Sequence, residues 1–168
     1  ICEMGARKAG DIAELCDLVQ PDYILFTGVC AQHVESFGSE EGVFNAKCEA
    51  LGSKAKAIVC GKDLKERTCA KYPRESVKCR FVGEVENLVL QATKTSFVLP
   101  LEHCSIAVET CLLGEAAPEN ILLAATLVEM LGLTKEEIEK GIEKLAPIPH
   151  RLQLLEQNGI YILDDAYN

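Results

Sequence analysis

Lys47 is a charged residue at a position where the helical pattern predicts an apolar one. The segment that begins at Ser39 reads as a helix, and Lys47 lies three and four residues from the members of its apolar face. That face consists of Val43, Phe44, Ala50 and Leu51. Two interpretations are open. The lysine can bury its stem and extend its ammonium to the rim of the core. Alternatively, burial favours the uncharged amine, which is nucleophilic and can add carbon dioxide to become a carbamate that binds magnesium.

Two further polar residues follow segments that we predict to be strands. Glu3 stands at the end of a short apolar start, and His33 follows an apolar run over residues 23–29. In an open α/β sheet, ligands bind at the carboxyl ends of the strands. Taken singly, each residue is more often solvated or structural. Together with Lys47 as a carbamate they form an oxygen-rich set that suits Mg²⁺, with Lys47 and His33 as the catalytic candidates.

A phosphate-binding loop of the form G-x-x-x-x-G-K-[ST] is not found in the sequence. The nearest match is at Gly61 and Lys62, but Lys56 occupies the position of the first glycine and Asp63 that of the serine or threonine. If the protein handles ATP, we expect the triphosphate loop to lie upstream of residue 1.

The first half of the chain alternates between helices and strands. Asp11 with Glu14 predicts a capping box at the start of a helix, and residues 23–29 and 55–60 are short apolar runs typical of buried strands. A helix capped by Ser39 separates the two runs. Strand, helix and strand at this spacing predict a parallel sheet covered by helices.

The second half has a different pattern. We predict short strands over residues 78–82, 88–92, 96–101 and 105–113. Helices follow, one from Pro118 to Gly132 and one that begins at a capping box of Thr134 and Glu137, and residues 159–163 form a last strand. The predicted fold class is therefore α/β: a mainly parallel sheet flanked by helices, with a small antiparallel β segment added.

Composition excludes several classes of function. The net charge is −9, with 26 acidic and 17 basic residues, which argues against a nucleic-acid partner. The nine cysteines include no C-x-x-C pair, so we expect reduced thiols in a cytoplasmic protein, with a zinc site as the alternative. No apolar stretch approaches the roughly 20 residues that span a bilayer, so we expect no membrane insertion.

Five segments, in order along the chain, resemble motifs of the MurF-type Mur ligases of bacterial cell-wall synthesis. The first, from Glu3, resembles E-[ML]-G-A-x-x-x-G-[DE]-I, and the last, which ends at Asn168, resembles I-D-D-[SA]-Y-N. Between them lie Ala31–Ser39, similar to [AQ]-H-L-E-x-F-x-S, Ala46–Glu49, similar to A-K-x-E, and Pro149–Leu152, similar to [PG]-x-R-[LF].

The resemblance implies an ATP-dependent ligase that joins D-alanyl-D-alanine to a UDP-N-acetylmuramoyl-tripeptide in peptidoglycan synthesis. ATP would phosphorylate the terminal carboxylate of the peptide, and the amine of the dipeptide would attack the acyl phosphate. By the same resemblance, Glu3 and His33 match the family positions that hold magnesium. Lys47 matches the lysine that is carbamylated in related ligases.

The resemblance also assigns three residues to the nucleotide. Asn120 matches an asparagine that contacts adenine, Arg151 an arginine near the phosphates and Asp165 an aspartate near the ribose. The sequence departs from the family in one place: the common G-x-H-N-x-x-N motif has Ala116 and Ala117 in place of the histidine and the first asparagine. We expect this change to alter the adenine pocket.

The resemblance further implies a three-domain enzyme. We assign residues 1–150 to the central ATP-binding domain and residues 151–168 to the start of the C-terminal domain. The chain begins without an initiator methionine, so we expect an excised piece. We expect this piece to be inactive in isolation, because it lacks the phosphate loop and the third domain. Two alternatives remain: another Mur ligase or a relative of folylpolyglutamate synthase, and a Mur-like domain that binds or scaffolds without catalysis.

Overall fold

A computed structural model describes residues 1–29 and 34–167 of the chain. The chain divides into two compact units, residues 1–82 and residues 83–168. The boundary that we predict between a central and a C-terminal domain, after residue 150, lies within the second unit and stays a prediction.

The first unit contains a parallel sheet of three strands in the order β1-β2-β3. The strands are β1 (Tyr23–Phe26), β2 (Ala57–Gly61) and β3 (Cys79–Val82). Tyr23 pairs with Ala57, and Ile58 pairs with Cys79. The predicted parallel sheet is confirmed. The assignment of residues 78–82 to the antiparallel segment is wrong, because β3 pairs in parallel with β2. A short apolar run has no feature that tells a parallel strand from an antiparallel one.

Four helices accompany this sheet. They are α1 (Asp11–Val19), α2 (Val34–Phe37), α3 (Glu40–Cys48) and α4 (Lys65–Lys71), with single 3₁₀ turns at Glu49–Gly52, Lys62–Leu64 and Glu75–Lys78. The hydroxyl of Ser39 accepts a hydrogen bond from the backbone N–H of Gly42 at 3.0 Å, which confirms the predicted cap of α3. Residues 1–6 belong to no helix or strand, so the strand expected before Glu3 is absent from this segment.

The predicted capping box at Asp11 is wrong. The carboxylate of Asp11 accepts hydrogen bonds from the backbone N–H groups of Arg7 and Lys8, which lie before the helix. These bonds lower the pKa of Asp11. The carboxylate that caps α1 belongs to Glu49, which accepts from the N–H groups of Gly10 at 2.7 Å and Ala13 at 3.2 Å. A residue 39 positions away satisfies the donors that the local sequence leaves open.

The core of the first unit lies between the sheet and helix α3. Phe44 and Ile58 are fully buried at its centre. The cluster comprises Phe26, Phe44, Cys48, Leu51, Ala55, Ile58, Cys60 and Leu64. Removing a large side chain such as Phe44 from water stabilises the fold by roughly 1.5–3 kcal/mol. This packing fixes the axial rotation of α3, and with it the side from which Lys47 projects.

The second unit contains an antiparallel sheet in the order β4-β5-β6 and two helices. The strands are β4 (Glu86–Leu90), β5 (Thr95–Pro100) and β6 (Ser105–Thr110), and the helices are α5 (Ala116–Met130) and α6 (Lys135–Ile142). Buried and exposed residues alternate along β6, as expected for a strand with one face on a core. The predicted capping box of Thr134 and Glu137 begins α6.

A hairpin that the sequence only half predicts ends the chain. Its strands are β7 (Gln153–Gln157) and β8 (Ile160–Asp164), paired antiparallel from Gln153↔Asp164 to Gln157↔Ile160. Asn158 and Gly159 form the turn, with φ of 53° and 75°, which is the backbone that a two-residue hairpin favours. The last strand is confirmed within one residue, whereas β7 is missed.

The described part of the chain has no helix long and apolar enough to cross a membrane. Eight cysteines lie in that part, and all of them are free thiols.

Candidate functional site

Helix α3 holds Lys47 among buried neighbours. Val43, Phe44, Ala46 and Cys48 are all at most 3% exposed, whereas Lys47 itself is half-buried. Its Nζ donates a hydrogen bond to the carbonyl oxygen of Gly28 at 3.0 Å. Gly28 lies two residues beyond the end of β1. The side chain therefore reaches the carboxyl end of a parallel strand, the edge at which open α/β sheets bind ligands.

Glu3 and Lys47 line the same cavity. The cavity has a volume of about 870 Å³ and is enclosed by residues 1–6, by β1 with the two residues that follow it, and by parts of α1 and α3. Glu3 is exposed and Lys47 half-buried. A carboxylate and an amine thus line one cavity, and their role as members of a metal site stays a prediction.

His33 lies outside the described residues, so the third member of the predicted metal set stays a prediction. Among residues 1–29 and 34–167, no group of three or more histidine, cysteine, aspartate or glutamate side chains is arranged to hold a metal ion. The described residues therefore do not provide a complete set of protein ligands for a metal ion. A magnesium ion would need oxygen atoms from a ligand or from water in addition to Glu3, which is the usual situation for this ion in nucleotide sites.

The second unit contains a cavity of its own, with a volume of about 760 Å³. Asn120 of α5, Arg151 and Asp165 all line it, although they come from three separate stretches of sequence. Most of the remaining wall is apolar and comes from α5, α6 and residues 145–148. Its members include Leu113, Ile121, Ala124, Val128, Ile138, Ile142, Leu145 and Ile148. An apolar slot with a few polar groups at its margin is typical of a small-molecule site.

Arg151 and Asp165 are fixed by local contacts. The Oδ1 atom of Asp165 accepts a hydrogen bond from the backbone N–H of Leu152 at 3.1 Å. The guanidinium carbon of Arg151 lies 3.9 Å from the centre of the Tyr167 ring. Both residues are exposed, so their charged groups are available to a ligand at the mouth of the cavity.

Gly114 lies directly beneath the chain that carries Arg151. A Cβ atom on Gly114 would stand 2.6 Å from the Cδ1 atom of Leu152, and the φ angle of Gly114 is 86°. Only glycine fits there without displacing the neighbour. Ala116 and Ala117, two and three residues further on, both line the cavity. The departure from the family motif therefore falls on the wall of this cavity, beside Asn120.

Several groups that line these cavities, or that contact residues next to them, are not predicted from the sequence. The carbonyl of Gly28 is one, since a backbone oxygen gives no signal in a residue pattern. Tyr167 is another: it belongs to the motif at the end of the chain, but its ring contact with Arg151 depends on the path of the hairpin. The ring nitrogen Nδ1 of His150 lies 2.8 Å from Oδ2 of Asp164, which pairs a residue that precedes β7 with the last residue of β8.

A sequence profile of the Mur ligase middle domain matches residues 1–128. The chain belongs to this family. The Mur ligase middle domain accounts for the parallel sheet and the helices of the first unit and for the antiparallel sheet that follows.

Individual relatives agree with this assignment. The chain is 30% identical over 183 aligned positions to the UDP-N-acetylmuramoyl-tripeptide–D-alanyl-D-alanine ligase of Escherichia coli. The match covers 100% of this Mur ligase chain but 40% of the relative, so the chain spans less than half the length of that protein.

Two solved structures share the fold. MurF from Acinetobacter baumannii superposes with a TM-score of 0.86 at 22% identity, over 98% of this chain and 38% of that one. The MurF ligase from Thermotoga maritima, solved in complex with ADP, gives a TM-score of 0.77 at 22% identity, over 99% of this chain and 40% of that one. The predicted fold class is confirmed.

Proposed function

We propose that this chain is the nucleotide-handling part of an ATP-dependent amide ligase that joins D-alanyl-D-alanine to UDP-N-acetylmuramoyl-tripeptide. One observation carries the proposal. Asn120, Arg151 and Asp165, chosen from the sequence as nucleotide contacts, line one apolar cavity although up to 45 positions separate them (165 − 120). The name of the Escherichia coli relative supplies the two substrates.

The chemistry of the second cavity suits a purine nucleotide. The apolar wall of α5 and α6 can pack against the flat faces of a base, and the amide of Asn120 can donate one hydrogen bond and accept another at its edge. Asp165 is the acceptor for ribose hydroxyls. Arg151 is the cation for phosphate oxygens, which guanidinium groups bind through paired N–H donors.

The first cavity suits the phosphate end of the reaction. When bound, Mg²⁺ would neutralise charge on the phosphoryl group that is transferred. Glu3 would hold the ion together with His33, and phosphate and water oxygens would complete the shell. Lys47 would contribute either its ammonium or, as the finer proposal, a carbamate. The hydrogen bond from Nζ to Gly28 keeps its head at this opening in the uncarbamylated form.

The proposed reaction has two steps. An oxygen of the tripeptide carboxylate attacks the γ-phosphorus of ATP and ADP leaves. The amine of D-alanyl-D-alanine then attacks the acyl carbon, phosphate leaves, and the nitrogen loses a proton as the amide forms. The phosphorylation is needed because a carboxylate has no good leaving group. In the second unit, Arg151 is the cation that would face the phosphate oxygens of the nucleotide in the first step.

The test is phosphate release by the full-length protein with ATP, Mg²⁺ and UDP-N-acetylmuramoyl-tripeptide, measured with and without D-alanyl-D-alanine. We expect release that depends on the dipeptide and that is lost in an Asn120→Ala, Arg151→Gln double variant. Phosphate release that depends instead on a single amino acid, such as glutamate, would point to another ligase of the same fold. No release with any acceptor, by protein that is folded, would contradict the enzyme proposal.

A second candidate function is a Mur-like domain that binds nucleotide without turnover. Ala116 and Ala117 favour it, because they replace two polar residues on the wall beside Asn120. Equilibrium binding of ADP, measured together with phosphate release, separates the two candidate functions. Binding without phosphate release supports the scaffold, whereas binding with release supports the ligase.

A further inference from the structure

The backbone on both sides of Arg151 is left-handed. The φ angle is 65° at His150 and 42° at Leu152. Residues with a Cβ atom rarely adopt this conformation, because the side chain approaches its own carbonyl oxygen. Such a conformation persists only when surrounding contacts hold it in place. The direction in which Arg151 projects is therefore set by its neighbours and not by the intrinsic preference of the chain.

Three hydrogen bonds hold this kink. The N–H of Tyr167 donates to the carbonyl of His150 at 3.0 Å, the N–H of Leu152 donates to Asp165 at 3.1 Å, and the ring of His150 lies 2.8 Å from Asp164. All three connect residues 150–152, which enter β7, with residues 164–167, which leave β8. The two ends of the hairpin are thus tied together at Arg151.

The side chain of Arg151 is held by Tyr167 in addition. The guanidinium carbon lies 3.9 Å from the ring centre, within the range of a cation–π contact. Tyr167 is 56% exposed, so the ring is not needed to fill a core. A stacked guanidinium uses its flat face on the ring, while its N–H donors lie in the plane and point outward.

We propose that Tyr167 is a positioning residue that holds the guanidinium of Arg151 where it meets the phosphates of a nucleotide whose base lies in the cavity of the second unit. This inference rests on the proposed nucleotide function. A long, exposed arginine otherwise spreads over many rotamers, and binding an anion has to overcome that freedom. The stack removes part of that cost before the ligand arrives.

The experiment compares ligands with and without phosphate. Affinities of the full-length protein for ADP and for adenosine are measured by calorimetry for Tyr167→Leu, which keeps bulk but removes the ring, and for Tyr167→Phe, which keeps the ring. We expect Tyr167→Leu to weaken ADP binding by roughly threefold to tenfold and to leave adenosine binding within a factor of about two. Tyr167→Phe is expected to bind both ligands as the parent protein does.

A second pair of variants tests whether Tyr167 acts through Arg151. Arg151→Lys keeps the charge but loses the flat guanidinium, so we expect it to weaken ADP binding, with no further loss when Tyr167→Leu is added. An undiminished effect of Tyr167→Leu in that background would overturn the proposal. Equal weakening of ADP and adenosine would overturn it too, because the ring would then only shape the cavity.

The outcomes distinguish a failure of the positioning role of Tyr167 from a failure of the proposed nucleotide function. If the parent protein binds neither ADP nor adenosine, the nucleotide function fails and the positioning role fails with it. If the parent binds ADP and Tyr167→Leu binds it equally well, only the positioning role is wrong.

Discussion

The side-chain nitrogen of Lys47 lies 3.0 Å from the carbonyl oxygen of Gly28. This hydrogen bond joins helix α3 to the segment that follows β1, at a cavity that Glu3 also lines. A lysine that extends its ammonium to the rim of the core makes this contact, and so does a lysine that serves a ligand site at the carboxyl end of a strand, so both interpretations that the sequence leaves open stay predictions.

Replacement of Lys47 by methionine is expected to separate function from stability. Turnover of the full-length protein should fall by a factor of about 100 or more, because the variant loses either an ammonium that would face developing negative charge or a carbamate that would hold the magnesium ion. The free energy of unfolding should change by less than about 1.5 kcal/mol, since one hydrogen bond to a carbonyl is removed. Lys56→Met is the matched control, because Lys56 forms an exposed ion pair with Asp22 at 2.9 Å.

A comparison of the parent protein with Lys47→Met also tests whether Lys47 carries a carbamate. Mass spectrometry under native conditions with bicarbonate should reveal a gain equal to one carbon dioxide that is absent from Lys47→Met. Full turnover by Lys47→Met would remove Lys47 from the site altogether.

Glu49 should matter more to stability than a glutamate within the helix that it caps. Its carboxylate satisfies the N–H groups of Gly10 and Ala13, so Glu49→Ala leaves the start of α1 uncapped. We expect a loss of about 1–2 kcal/mol in urea unfolding. Glu14→Ala, an exposed change within α1, should cost less than about 0.5 kcal/mol. Equal losses for the two variants would show that the long-range cap contributes nothing.

Cys48 should make the protein less stable in alkali. Burial is the largest cause that raises the pKa of the Cys48 thiol from 9.0 to about 12. Between about pH 9 and pH 12 the unfolded chain loses this proton while the folded chain keeps it, so the folded state binds more protons and stability falls as pH rises. The slope from this group is at most roughly 1.4 kcal/mol per pH unit.

The difference between the parent protein and Cys48→Ala isolates this effect. Unfolding by urea at a series of pH values should show that the two stabilities converge as pH rises above about 9. A constant difference over that range would mean that the thiol ionises equally in both states. Alkylation at neutral pH offers a second readout, because the exposed thiols of Cys2, Cys69 and Cys111 should react well before Cys48.

Gly114→Ala should disturb both the backbone and the position of Leu152. The new Cβ would lie 2.6 Å from Cδ1 of Leu152, in a left-handed conformation. Gly159→Ala is the control, since Gly159 has a φ of 75° but no atom within 4 Å of an added Cβ. Both variants should lose about 1–2 kcal/mol of unfolding free energy, because alanine is strained in a left-handed backbone. Gly114→Ala should lose more unfolding free energy than Gly159→Ala, because of the contact with Leu152, and it should also weaken ADP binding.

Adding Leu152→Ala to Gly114→Ala separates the cost of backbone strain at residue 114 from the cost of the contact with Leu152. If the contact with Leu152 causes the extra loss, the double variant should be destabilised by less than the sum of the single changes. Strict additivity would mean that the close approach relaxes without cost.

Local pattern determined much of this fold. The apolar runs of β1 and β2, the Ser39 cap and the Thr134–Glu137 capping box are all predicted correctly, because each depends on neighbours within a few positions. The face of α3 that carries Lys47 follows from the helical period alone. The family motifs, present in order along the chain, also indicate which residues are candidates for nucleotide binding.

Only the tertiary structure decided which partners those residues meet. The cap of α1 comes from Glu49 and not from Asp11, because folding brings the carboxylate of Glu49 close enough to accept hydrogen bonds from the N–H groups of Gly10 and Ala13. Strand β3 joins the parallel sheet because long-range pairing sets strand direction. The stack of Tyr167 on Arg151 arises because the hairpin brings residues 164–167 back beside residues 150–152. Contacts between distant residues depend on the path of the backbone, which no local periodicity encodes.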